Sequence, residues 1–172
     1  MGPVVQGLKN LQEVENRLRA IKSKLARSKR KVQFQQNQLR QLQGDLQAKQ
    51  EEIKMTRMQV DKLELELKTR DEDITKLRTA LNLARTNKEY SALLTELNTA
   101  KADDSKIETQ MLELMKTIEE DQALCAQFEE KIELQKGKVQ EVQGEADAKT
   151  AELKDQVDGI QQEWNAASKN IP

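Results

Sequence analysis

A chain of 172 residues in which 34% carry charge and 2% are aromatic, with 29 Lys and Arg against 30 Asp and Glu, has the composition of long helices. It lacks the aromatic area that fills a broad globular core. With no histidine and one cysteine, Cys125, it cannot build the usual Cys/His zinc site or a histidine-activated nucleophile, and it has no Gly-rich phosphate loop. No enzyme activity, cofactor or metal site is expected of it. Its apolar runs are only a few residues long, far short of the roughly 20 that a membrane helix needs, so it reads as a soluble, cytoplasmic protein without a membrane partner.

From Leu11, steps of seven reach Leu18, Leu25, Val32, Leu39, Leu46, Ile53, Val60, Leu67, Ile74 and Leu81, all apolar. Three residues after each lies a weaker stripe: Val14, Ile21, Ser28, Gln35, Leu42, Lys49, Thr56, Leu63, Arg70, Leu77 and Ala84. An a/d seam sustained this long specifies a coiled-coil helix. The first arm is therefore expected over about 8–84.

At the midpoint the repeat changes phase. Continuing the first register would put Lys88 and Ser91 on the seam, but the apolar series resumes at Tyr90 and Leu93. Thr86, Asn87, Lys88 and Glu89 fit a capping box, in which the Thr hydroxyl accepts from the Glu amide and the Glu carboxylate reaches back to the cap amide. A turn is expected near 85–88, with Asp103 to Glu108 as a rival, since Ser105 and Glu108 fit a second capping box.

The second arm, expected over about 89–168, steps from Tyr90 through Leu97, Asp104, Met111, Ile118, Cys125, Ile132, Val139, Ala146, Leu153, Ile160 and Ala167. Its companion stripe runs from Leu93 to Phe128 and Gln135, and on to Lys149, Gln156 and Glu163. The fold expected is all-α: one domain, a long antiparallel two-helix coiled-coil hairpin, monomeric or weakly dimeric. The alternative is a continuous helix dimerising in parallel as a structural rod. An antiparallel register centred on Asn87 sets Arg70 opposite Asp104, matching two seam charges that would each be costly alone. Cys125 falls on the seam as a small core residue, and Trp164 with Leu8 is placed to close the open end. Met55, Met58 and Leu65 fall off the seam and could form a small exposed patch.

Between Asn16 and Gly44 lie nine Lys or Arg and no acid. Arg27, Lys29, Arg30 and Lys31 are the candidate nucleic-acid contacts in this stripe. The competing reading is pairing with the facing stretch 130–158, which has eight acids and five lysines.

The residues Thr86, Asn87, Lys88, Glu89 and Tyr90, followed by Ala92, Leu93 and Glu96, resemble the TN(K/R)EY signature of a bacterial family that joins a helical hairpin to a C-terminal C4-type zinc ribbon. Its flagellar members are the flagellar zinc-ribbon proteins. The resemblance covers the hairpin only: the two CxxC pairs of the ribbon have no counterpart in this chain, so zinc is expected only in a ribbon outside it. What the resemblance implies is an adaptor or scaffold acting in transcription regulation. The implied partners are the sigma-54 class of sigma factor, or flagellar and secretion components. Thr86, Asn87, Lys88, Glu89 and Tyr90 are the candidate partner-binding residues. Capping accounts for Thr86 and Glu89 and the first seam layer for Tyr90, which leaves Asn87 and Lys88 as the expected contacts.

Overall fold

A computed structural model describes residues 2–169. Two α-helices, α1 (Pro3–Leu83) and α2 (Asn87–Ser168), are joined by Ala84, Arg85 and Thr86. The chain is an all-α helical hairpin, and the parallel rod is ruled out because the two helices pack on each other. The rival turn is ruled out too, since Asp103 to Glu108 lie inside α2.

Helix is what this composition favours: Ala, Leu, Glu, Lys, Gln and Arg dominate both segments. Pro3 occupies the first turn of α1, where its missing amide costs nothing. The Gly2 carbonyl there accepts from the amides of Val5 (3.1 Å) and Gln6 (3.3 Å).

Packing divides the chain into two compact units. The first comprises the described parts of 1–43 and 130–172. Its core cluster is Val14, Ile21, Leu153 and Ile160, with Leu18, Leu25, Val157 and Trp164 packed against it. The expected antiparallel register pairs Val14 with Ile160 and Ile21 with Leu153, and the cluster contains both pairs. Midway along, the Gln135 side-chain amide donates to the Gln35 carbonyl (3.0 Å) and to the Gln35 side-chain oxygen (2.7 Å). Two polar seam residues thus satisfy each other.

The far end of α2 departs from the expected seam. Gln156 and Glu163 are exposed, and Val157 and Trp164 take their places toward α1. The anchoring series through Leu153 and Ile160 is unchanged, but the companion stripe has moved on by one residue. Apolar area decides this, because burying Val and Trp is worth several kcal/mol more than burying Gln and Glu, on the order of 2 kcal/mol per large apolar side chain. Leu8, expected to help close this end, is exposed.

The second unit, Gly44–Glu129, contains the turn. Its buried apolar residues are Ile53, Ile74, Leu97, Ile107 and Cys125, all on the expected seam. Among the described residues of either unit no large side chain is completely enclosed. A two-helix layer covers each seam from one side only, so stability is spread along the stripe and not concentrated in one core.

Candidate functional site

The tip forms because α1 runs out of helix at Leu83 and α2 has its cap ready three residues later. The Ala84 amide donates to the Leu81 carbonyl (3.4 Å), closing the last turn of α1. The Glu89 amide then donates to the Thr86 hydroxyl (3.2 Å), and the Tyr90 amide to the Thr86 carbonyl (3.0 Å). These bonds make Thr86 the N-cap of α2. The other half of the expected capping box differs: the Glu89 carboxylate accepts from the Arg85 amide (3.2 Å), one residue before the cap. A carboxylate in the first turn also meets the positive end of the helix dipole. The chain reverses without a positive-φ residue or a cis peptide among the described residues, so the turn needs no glycine.

The helix begins at Asn87, and the turn expected near 85–88 spans Ala84 to Thr86. Tyr90 departs from expectation. Expected in the first seam layer, it is 49% exposed. In the antiparallel register its opposite number is Ala84, already beyond the end of α1, so nothing is there to cover the ring. Asn87, Tyr90 and Leu94 follow one another at spacings of three and four and therefore share a face of α2. Asn87, Lys88, Tyr90 and Leu94 are all exposed, and so is Leu83 at the end of α1. The tip presents an amide, an ammonium, a phenol and two leucines over a turn held by four hydrogen bonds. Such a surface suits recognition of another macromolecule.

The seam charges also fall differently from expectation. Arg70 and Asp104 form no ion pair. The Arg70 guanidinium bonds to Glu66, one turn back on its own helix, with Nε and Nη2 each 3.2 Å from the carboxylate. Asp104 is 7% exposed, and its Oδ1 is buried without a hydrogen-bond partner. Burial raises the Asp104 pKa above the usual carboxylate value, and the neighbouring charge of Asp71 adds to this. The Arg70 charge opposes the rise, while Asp103 and Glu66 add to it.

The cross-helix pair of the second unit is Lys49 with Asp121, at 3.4 Å. Both are polar members of the weak stripes, and the register centred on Asn87 sets Lys49 opposite Cys125, so periodicity alone gave no signal for this pairing. The Lys49 ammonium also bonds to Glu52 (2.7 Å), and this bond is the leading cause of its raised pKa, with Asp121 contributing.

In the first unit the basic stripe keeps its charge. Arg17 pairs with Glu163 (2.6 Å), but the other eight basic residues between Asn16 and Gly44 make no ion pair among the described residues. Arg27, Arg30 and Lys31 line an open groove of about 380 Å³ with Ser23, Phe34 and Gln35. Phe34 is 58% exposed. Lys29 does not line this groove.

Among the described residues no group of three or more His, Cys, Asp or Glu could hold a metal ion, and no helix is long and apolar enough to cross a membrane. Comparison with protein-family models, with curated proteins and with solved structures finds no match to this chain.

Proposed function

We propose that the chain is a non-enzymatic adaptor whose partner-binding surface is the hairpin tip. The observation that carries this reading is the division of labour in the motif. Thr86 and Glu89 are occupied in holding the turn, while the side chains of Asn87, Lys88 and Tyr90 project from it into solvent. The exposure of Tyr90 supports its inclusion, since a large aromatic side chain left uncovered is a favoured anchor in protein interfaces. Similarity of the motif to that of the hairpin and zinc-ribbon family supports a bacterial cytoplasmic role in transcription regulation, with a sigma-54 class factor or flagellar and secretion components as partners. Zinc belongs to a ribbon outside this chain: a single cysteine without histidine does not fit a C4 site.

Replacing Asn87 and Tyr90 by Ala and Lys88 by Glu, with Thr86 and Glu89 kept, leaves helicity and thermal midpoint unchanged. The same variant weakens binding to a sigma-54 class factor by about tenfold or more, as loss of an interface anchor does. Titration calorimetry reads the second effect, and unaltered affinity would reduce the motif to a turn signal.

A second reading is favoured by the unpaired basic stripe. A single-stranded nucleic acid could place phosphates at Arg27, Arg30 and Lys31 and stack a base on Phe34. Binding of a labelled oligonucleotide then weakens steeply with salt, and reversing the charge of Arg27, Lys29, Arg30 and Lys31 flattens the log–log salt slope by roughly 0.7 for each phosphate no longer neutralised. An unchanged slope removes this reading.

A further inference from the structure

The stretch from Glu51 to Lys68 in the second unit carries more exposed apolar area than a solvated helix needs, and its charges have an order of their own. Met58 and Leu65 are 57% and 67% exposed, and across the helix pair Met115 and Leu112 are exposed as well. Two open grooves meet here. One, of about 500 Å³, runs along the outer face of α1 beside Met55, Met58 and Leu65; the other, of about 360 Å³, lies between the helices beside Arg57, Met115 and Ile118. Asp61 lines both.

On this side of α1 the charges run Glu51, Lys54, Arg57, Asp61, Glu64, Lys68, with Lys62 at the edge of the face beside Met55 and Met58. At 3.6 residues per turn these six, with Met58 and Leu65 among them, fall within about 140° of the helix circumference. All six are exposed, and none makes an ion pair among the described residues of its own chain. Their neighbours on the other side do: Lys49 with Glu52, and Arg70 with Glu66. The order of signs is minus, plus, plus, minus, minus, plus, which reverses sign about Gln59.

From this antisymmetry we infer that the face binds a second copy of the same chain, α1 against α1, antiparallel, about a two-fold axis near Gln59. A two-fold interface brings each residue onto the partner of its partner. Here Glu51 meets Lys68, Lys54 meets Glu64 and Arg57 meets Asp61, each twice. The Met58 side chains meet beside the axis, and Leu65 lies on the aliphatic stem of Lys54 from the other copy. A parallel copy would set every charge on its like. Exposed ion pairs contribute little singly, so the apolar contacts supply most of the affinity and the charges fix orientation.

Sedimentation of the full chain over a range of concentrations tests this, using two double variants. Lys54→Glu with Arg57→Glu makes the centre of the face wholly acidic. Asp61→Lys with Glu64→Lys makes it wholly basic. The parent chain dimerises as its concentration rises. Each variant alone self-associates at least about tenfold more weakly, through juxtaposed like charges. An equal mixture of the two recovers a dimer at parent concentrations, because acidic and basic faces then meet at every position. All the substituted positions are exposed on a helix, so circular dichroism is unchanged. The inference is overturned if the parent stays monomeric throughout, if the variants associate as the parent does, or if mixing them recovers nothing.

Discussion

Replacing Asp104 by leucine stabilises the chain by about 2 kcal/mol and raises its thermal midpoint by roughly 4–8 °C. The parent carboxylate lies in the seam with one oxygen buried and unbonded, and Arg70 has turned to Glu66 instead. A buried polar atom without a partner costs about 1–3 kcal/mol, and a leucine in its place adds apolar burial. Asp104→Asn removes the charge alone and gains about 1 kcal/mol at neutral pH.

The pH dependence follows from the raised pKa of Asp104 in the fold. The native state holds the proton more tightly than the unfolded chain does. Stability from this group is therefore fully present below the unfolded carboxylate value, about 3.9, and is lost as pH rises through the higher folded value. The amide of the Asp104→Asn variant does not titrate. Its advantage over the parent is thus greatest at pH 7 and fades below about pH 3, where the parent is protonated in both states. Melting curves followed by circular dichroism at the two pH values measure it. A gap of equal size at both would mean that the charge is not the cause.

The second large effect concerns the cluster of the first unit. Leu153→Ala lowers stability by about 3 kcal/mol, roughly 6–12 °C in midpoint, since Leu153 sits among Val14, Ile21 and Ile160 and its removal leaves a cavity that helices of fixed backbone cannot fill. Trp164→Ala costs a similar amount because the indole packs on the same cluster. Glu163→Ala costs no more than about 1 kcal/mol, since its pair with Arg17 is half exposed on both sides. This contrast separates the two seams open to the end of α2. If Glu163→Ala were as costly as Trp164→Ala, the companion stripe would lie where the heptad count alone puts it.

Much of this was legible beforehand, for a local reason. Heptad spacing puts an apolar residue on the same side of a helix at every second turn, and burial of that side follows whatever the partner is. The seam from Leu11 to Leu81, the strong stripe from Leu97 to Ala167, the seam position of Cys125 and the cap at Thr86 all follow from spacing and residue type. Each needs only neighbours within a turn or two, or a generic apolar surface opposite.

The tertiary structure decided what depends on a particular partner at a particular place. The register sets Arg70 opposite Asp104, but Glu66, one turn back on the same helix, took its guanidinium, and the buried Oδ1 of Asp104 has no partner. Lys49 reached across to Asp121, although the register centred on Asn87 sets neither opposite the other. Val157 and Trp164 displaced Gln156 and Glu163 because the facing surface rewarded apolar area over regular spacing. Tyr90 stayed in solvent because the opposite helix had already ended, a fact that no periodicity in α2 could contain. The basic residues between Arg19 and Arg40 kept their charges unpaired for a related reason: the acids of the facing stretch lie at the same level along the arms, but only the placement of side chains within about 4 Å makes an ion pair.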